Sequence, residues 1–313
     1  MTATAPRTTS NPTSLVHPAF LVNAPFAFST DVPNNAWMRD LPDDQRKADP
    51  DRSMAQFLEL YRALSGDALV YVLPTPSGGG MQDLVFTANL GIVLEHLPEQ
   101  DTVVVSRFSE PTRKAETAVG VQFFESMGYR VHVCPHHFEG EAELKHLRDN
   151  VYVGGYGTRS ARESYEWMER EFDMEIVPLR MTDPYLYHLD CSVFPLTREQ
   201  TLVCTEQYSE TELRALEKHT EVVPITTDAA MSGICNTVRL HNTLLNASNI
   251  HELEAGSEDY EYELAKNRAL EDIAARTGFE VCLFNLDEYT KAGALLSCMV
   301  MHLNRRSYDY ALF

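Results

Sequence analysis

Long apolar runs are missing from this chain. Its hydrophobic stretches are strand-sized, well short of the roughly 20 residues that cross a bilayer as a helix. Clustered positive charge is missing too. Against 46 Asp and Glu the sequence sets only 26 Lys and Arg, a formal net charge of −20. That balance argues against a nucleic-acid or anionic-membrane surface, which needs grouped Lys and Arg to meet phosphate, and leaves a mild bias toward cationic ligands. No phosphate-binding glycine fingerprint is present: "SGGGMQD" has neither the G-x-G-x-x-G spacing nor a following Lys-Ser/Thr, so Gly78 to Gly80 read as a flexible turn. The six cysteines sit singly in apolar segments rather than at the close spacings of a disulfide framework. A reducing compartment, the cytoplasm, is the expectation. The N-terminal "MTATAPRTTSNPTS" lacks the apolar core of a secretory signal. Residues 1–18 therefore read as a disordered arm or an organellar remnant, and 19–313 as a single domain.

What is present is a rhythm. Five segments share one recipe: an amphipathic helix, a short break, then a β-branched run. They are "SMAQFLELYRALSGDALVYVLP", "AETAVGVQFFESMGYRVHVCP", "SARESYEWMEREFDMEIVPL", "SETELRALEKHTEVVPIT" and "YELAKNRALEDIAARTGFEVCLFNL". Gly66, Gly128 and Gly278 stand at three of the breaks, Gly66 as a C-terminal cap, and Ser209 with Glu212 forms a capping box. Between the units lie further strand candidates: "DTVVVSRF", "NVYVGGYGTR", "LYHLDCSVFPL", "NTVRLHNTLLN" and the opening "SCMVMHL". One helix with two or three strands, five times over, predicts a closed or propeller-like α/β arrangement rather than a doubly wound sheet.

Several short motifs carry chemistry, each with a plain alternative. In "YHLDCSVFPL", His188 and Asp190 are two apart, and read as a strand they share a face. That serves acid–base work near neutral pH, or equally a buried histidine satisfied by a carboxylate. Glu139 in "FEGEAEL" is a carboxylate between an aromatic and a glycine, either buried with a cationic partner or solvated in a loop. Cys134, His136 and His137 make no complete ligand set, so no metal is expected. Asn89 in "DLVFTANLG" ends a strand-like run beside glycine, where asparagine is also ordinary turn chemistry. Arg107 and Arg159 each follow a strand-like run, positions that suit a bidentate carboxylate clamp or a surface ion pair. Cys298, inside the strand-like "KAGALLSCMVMHL", is a nucleophile or an inert core thiol.

Taken in order, "NNAWM", "VFTANLG", "SRF", "FEG", "GYGTRS", "YHLDCSVFPL", "CNTVRL" and "KAGALLSC" resemble the guanidino-group-modifying enzymes of the pentein superfamily. That superfamily contains arginine deiminases, dimethylarginine dimethylaminohydrolases and amidinotransferases, and the nearest likeness is to the ammonia-forming arginine dihydrolases. The resemblance covers nearly all of the chain after residue 18. It implies a five-bladed α/β propeller and no cofactor or metal. Its partner is a small cationic guanidino substrate; oligomeric state is not fixed, and a homo-oligomer stays open. By position, the resemblance makes Cys298 the nucleophile, His188 the proton carrier and Glu139 its charge partner. It makes Asp190 the grip on the guanidinium, Arg107 and Arg159 the clamp on the substrate carboxylate, and Asn35 a pocket wall.

Asn89 stands where deiminases carry aspartate. An amide donates as well as accepts, so it can retain a neutral ureido group for a second attack. The resulting expectation is arginine, or a modified arginine, converted to ornithine, carbon dioxide and ammonia through a thiouronium on Cys298. Single deimination to citrulline, amidino transfer to an amine, and an inactive binding protein are the competing readings. Two departures bear on the substrate: Glu143 replaces the usual aspartate after Glu139, and Ala294 replaces the second glycine of "KAGG". Both touch loops that shape the pocket.

Overall fold

The computed structural model describes residues 11–310. Among them, fifteen strands form five three-stranded sheets of one design. In each, a short first strand runs antiparallel to a central strand, which runs parallel to a third. A parallel pair cannot be joined by a tight turn, and the long helix of each unit supplies the crossover. Chain order gives β1 (Ala19–Asn23) and β2 (Leu69–Leu73), joined by helix Pro50–Asp67. Next come β3 (Gly91–Val93), β4 (Thr102–Val105) and β5 (Arg130–Val133), with helix Glu116–Ser126. β6 (Leu144–Arg148), β7 (Val151–Tyr156) and β8 (Glu175–Arg180) take helix Arg162–Phe172. β9 (Val193–Pro195), β10 (Gln200–Cys204) and β11 (Glu221–Ile225) take helix Glu210–Leu216, which opens with the expected Ser209–Glu212 capping box. β12 (Val238–Leu240), β13 (Thr243–Ala247) and β14 (Glu280–Phe284) take helix Glu258–Thr277. The last strand, β15 (Met301–His302), returns to pair antiparallel with β1, so one blade is built from both ends of the chain.

Five apolar clusters close the ring, each filling the space between neighbouring sheets. Leu21 and Met301 meet Leu90, Val103 and Phe124. Ile92 and Val104 meet Tyr152 and Met168. Val153 and Leu179 meet Val193 and Leu216. Phe194 and Leu202 meet Leu244 and Leu270. Leu245 and Phe284 meet Phe20 and Phe57. This is the five-bladed propeller expected from the rhythm. Truncating one such leucine to alanine costs about 2–5 kcal/mol.

Three expectations need correction. The arm assigned to residues 1–18 falls outside the described residues only as far as residue 10. Asn11 caps a 3₁₀ turn at Pro12–Ser14, Thr13 Oγ1 lies 2.8 Å from the Tyr129 hydroxyl, and Asn304 Nδ2 donates to the Pro12 and His17 carbonyls. Gly66 does not end its helix, which runs on through Asp67. "NTVRLHNTLLN" is two strands, turned by His241 at φ 54°.

Candidate active site

The site is built from one repeated position. Just before its first strand each blade makes a tight turn, and the five turns gather the polar residues. Asn89 ends the turn Thr87–Asn89, Glu139 precedes Gly140–Ala142, and His188 precedes Leu189–Cys191, which carries Asp190. Asn236 lies two residues before β12, and Cys298 is the middle residue of the turn Ser297–Met299. Cys298, His188, Asp190 and Asn89 are therefore not on strands as their apolar surroundings suggested. A short buried 3₁₀ turn and a short buried strand present the same run of apolar residues.

Gly140 shows how tightly the turns are set. It adopts φ 64°, and a Cβ there would come within 2.6 Å of the Ala88 carbonyl oxygen. Only glycine lets the Glu139 turn lie against the Asn89 turn.

Two pairs form the chemical centre. His188 Nε2 lies 2.8 Å from Glu139 Oε2, both side chains fully enclosed, and Asn89 Nδ2 lies 3.3 Å from the same nitrogen. Burial alone would raise the Glu139 carboxyl. The hydrogen bond to His188 and the nearby Arg159 guanidinium outweigh it and hold the group down at about 2. Burial pulls His188 below its ordinary value despite Glu139, so the imidazole rests neutral and Nε2 carries the proton offered to the carboxylate. Facing this pair, Cys298 Sγ lies 3.6 Å from Asp190 Oδ2 and accepts from Asn236 Nδ2 at 3.3 Å. Burial first, and the Asp190 carboxylate second, push the Cys298 thiol up to about 12. Asp190 is held by the Ser297 hydroxyl at 2.7 Å, and Asn236 Oδ1 accepts from Ser297 N at 2.8 Å. The resting centre is thus a protonated thiol beside a carboxylate, and a neutral imidazole beside a second carboxylate.

Cys298, His188 and Asn89 share a narrow cavity with Asn34, Asn35, Asp83, Arg113, Arg159 and Tyr187. Its free volume of about 10 Å³ is room for one water. Asn35, expected as a pocket wall, caps helix Ala36–Asp40 through Oδ1 and donates to the Ala292 carbonyl at 2.9 Å. Arg159 is buried with its guanidinium over the Tyr187 ring, donating to Asn34 O at 2.8 Å and lying 3.5 Å from Glu139 Oε1.

Arg107 is not part of this assembly. Its side chain is exposed and spent on the Cys134 carbonyl at 2.8 Å, because its strand-end backbone pairs with Phe138 instead of turning the side chain inward. The arginine the sequence reading missed is Arg113, buried between Glu116 (2.8 Å) and the carbonyls of Asp83 and Phe86. Nothing in "SEPTRKAE" marks it. Asp83 and Asn236 were also missed, although "DLVFTANLG" and "CNTVRL" contain them; for Asn236 the available signal was its place two residues before a first strand, the same as that of Asn89.

The two loop departures have structural answers. Glu143 is fully buried, accepts from Leu189 N at 3.2 Å through Oε2, and leaves Oε1 without a partner among the described residues. Burial, reinforced by the Glu139 and Asp190 carboxylates, holds it well above the usual carboxylate range, so it is a neutral acid between two charged ones. Gly293, at φ 70°, packs against Asn35, whose Oδ1 would lie 2.7 Å from any Cβ, while Ala294 follows it into the cavity wall. Among the described residues no group of three or more His, Cys, Asp or Glu could hold a metal ion, and no helix is long and apolar enough to cross a membrane.

Comparison with known proteins gives a consistent picture. A family profile described as N,N dimethylarginine dimethylhydrolase, eukaryotic, matches residues 23–305. The bifunctional arginine dihydrolase/ornithine cyclodeaminase AgrE of Nostoc sp. is 30% identical over 93% of this chain and 38% of its own length. The corresponding ArgZ protein of Synechocystis sp. is 26% identical over 90% of this chain and 37% of its own. The chain thus spans well under half the length of these curated relatives. The crystal structure of the N-terminal domain of ArgZ, an arginine dihydrolase bound to product, superposes with a TM-score of 0.78 at 26% identity, covering 92% of this chain and 97% of that one. An asparagine-to-serine variant of that domain is covalently bound to a reaction intermediate. The five-bladed arrangement is the pentein fold.

Proposed function

The chain belongs to the family described as N,N dimethylarginine dimethylhydrolase, and from that membership we propose that it is a cysteine-dependent hydrolase of a guanidino compound, with arginine as substrate. The observation that carries this reading is the pairing at the centre: a thiol 3.6 Å from Asp190, in one cavity with an imidazole held by Glu139 at 2.8 Å.

A resonance-stabilised guanidinium is a poor electrophile. Asp190 binds its nitrogens, and the arriving cation offsets the carboxylate that disfavours the thiolate of Cys298. Sulfur bonds to the central carbon as its proton passes to the neutral His188. His188 then hands that proton to the departing nitrogen, which leaves as ammonia and yields the thiouronium. In the second half His188 takes a proton from water, hydroxide adds to the thiouronium carbon, and the carbon–sulfur bond breaks to return the thiol. The ureido product and one proton, taken up by ammonia, complete the balance. Glu139 keeps His188 oriented and supports its charged form throughout.

Asn89, beside His188, supports a second round. Its amide can donate to the neutral ureido oxygen, to which a carboxylate has no proton to give. A second attack by Cys298 expels the other ammonia; hydrolysis leaves a carbamate, which loses carbon dioxide and gives ornithine. Arg159 serves the substrate carboxylate, and Arg107 has no part.

Incubation with arginine, products resolved by mass spectrometry, tests the proposal. Ornithine with two ammonia per arginine is expected. Citrulline as a stable end product would limit the chemistry to one round, an amidino group appearing on an added amine would make the enzyme a transferase, and no turnover of arginine would remove it as the substrate.

A further inference from the structure

Ala294 lines the catalytic cavity and also a second, much larger one of about 460 Å³. That volume falls in the range of about 300–1,000 Å³ typical of sites that enclose small organic molecules. Its walls are mostly apolar: Leu186, Met231 and Leu295, with Trp37 and Tyr262 partly exposed. Into this setting helix Glu258–Thr277 places a charged pair, Lys266 and Glu263.

The pair is only partly satisfied. Lys266 is 6% exposed and donates to the Ala247 carbonyl at 2.5 Å and to Glu263 Oε1. An ammonium has three N–H groups, and among the described residues the third meets no acceptor. Glu263 Oε2 likewise meets no donor among them. Burial lowers the Lys266 pKa, so the enclosure costs stability. An apolar pair of similar volume would often do as well for the fold alone. Asp287, which also lines the cavity, is already engaged by Arg52 and Gln56.

A free donor on a cation beside a free acceptor on an anion, at one edge of an apolar chamber, is the complement of a molecule with its own adjacent carboxylate and ammonium. We propose that this cavity is a second binding site, for a small α-amino acid with an uncharged side chain. The ligand carboxylate meets Lys266, its ammonium meets Glu263, and its side chain lies against Met231, Leu186 and Leu295. Asn236, whose amide contacts the Cys298 sulfur and the Ser297 amide, forms part of the same wall. An occupant therefore touches groups that set the nucleophile, and any effect of it on turnover must be mirrored by an effect of substrate on its binding.

The binding claim rests on no assumption about the reaction, so it is tested without turnover. Titration calorimetry with L-leucine, L-methionine and L-phenylalanine is expected to show saturable binding of one molecule per chain for at least one of them. That binding persists in Asp190→Ala and weakens roughly tenfold or more in Lys266→Met and in Met231→Trp, which fills the chamber. For the amino acid that binds, the analogues lacking the carboxylate or the amine fail to bind. Absence of saturation by all three, loss in Asp190→Ala with retention in Lys266→Met, or equal binding of the one-charge analogues overturns the proposal. If Lys266→Met does not fold, Met231→Trp and the analogue pair decide it.

Discussion

Replacing Asp190 by asparagine should move two observables in opposite directions. The Cys298 thiol rises from an ordinary 9.0 to about 12 in the free protein, a difference of about 3 units or ~4 kcal/mol. Two unit charges at the 3.6 Å between Cys298 Sγ and Asp190 Oδ2 repel by ~4–5 kcal/mol at an effective dielectric constant of about 20. That Coulomb figure would absorb the whole rise, yet burial contributes more than the carboxylate does. Asp190 is therefore the second cause of the rise, after burial. Asp190→Asn should lower the thiol and raise the thiolate fraction at any pH below the midpoint, about tenfold for each unit of lowering. Turnover should fall, because the variant no longer offers a charge-assisted grip to the guanidinium; a loss of about 10- to 100-fold in kcat/KM is expected. The ultraviolet thiolate absorbance of each protein, minus that of the matching Cys298→Ser form, gives the titration, and ammonia release gives turnover. A wild-type thiol titrating at its ordinary value, or one unmoved by Asp190→Asn, would refute the electrostatic reasoning.

Other outcomes follow from the same geometry. Glu143→Gln, which keeps the shape of a neutral acid, should change kcat/KM and its pH profile little, whereas a charged Glu143 would make the same change costly; activity profiles across pH decide. Arg107→Ala should leave KM near wild type and Arg159→Ala should raise it, reversing the equivalence their sequence positions suggest; steady-state kinetics on arginine checks both. Glu139 sits at about 2 in the folded protein against 4.5 unfolded. Its depressed value contributes stability that is full above pH 4.5 and disappears as pH falls through the folded value. The stability gap between wild type and Glu139→Gln, of the order of a few kcal/mol, should therefore shrink over that acidic window in denaturant titrations.

The blades were legible because each carries a long helix and a β-branched third strand, two periodicities that survive without tertiary context. The helix Arg162–Phe172, with Tyr165, Met168 and Phe172 on its buried face, is a plain instance. The turns were not legible. Leu189–Cys191 and Ser297–Met299 are too short for any period to separate a turn from a strand, and their conformation is imposed by neighbouring blades. Glu139, His188, Asp190 and Cys298 could still be picked out by order along the chain, since resemblance needs no knowledge of backbone shape. Arg113 could not, because its burial depends on Glu116 and two carbonyls. Nor could the setting of Glu141 in "FEGEAEL": it is buried and bonded to Arg305 at 2.6 Å, a residue that arrives 164 positions later.

The pairing of β15 with β1 has a consequence for how such a protein comes to life. During synthesis four blades can complete themselves from contiguous stretches, but the strand Ala19–Asn23 must keep one edge open until Met301–His302 emerges. The sulfur sits on the turn that leads into that final strand. On the function proposed above, Cys298 is thus among the last groups to find its place, and a ribosome-bound chain gains activity only once Met301–His302 has paired with Ala19–Asn23.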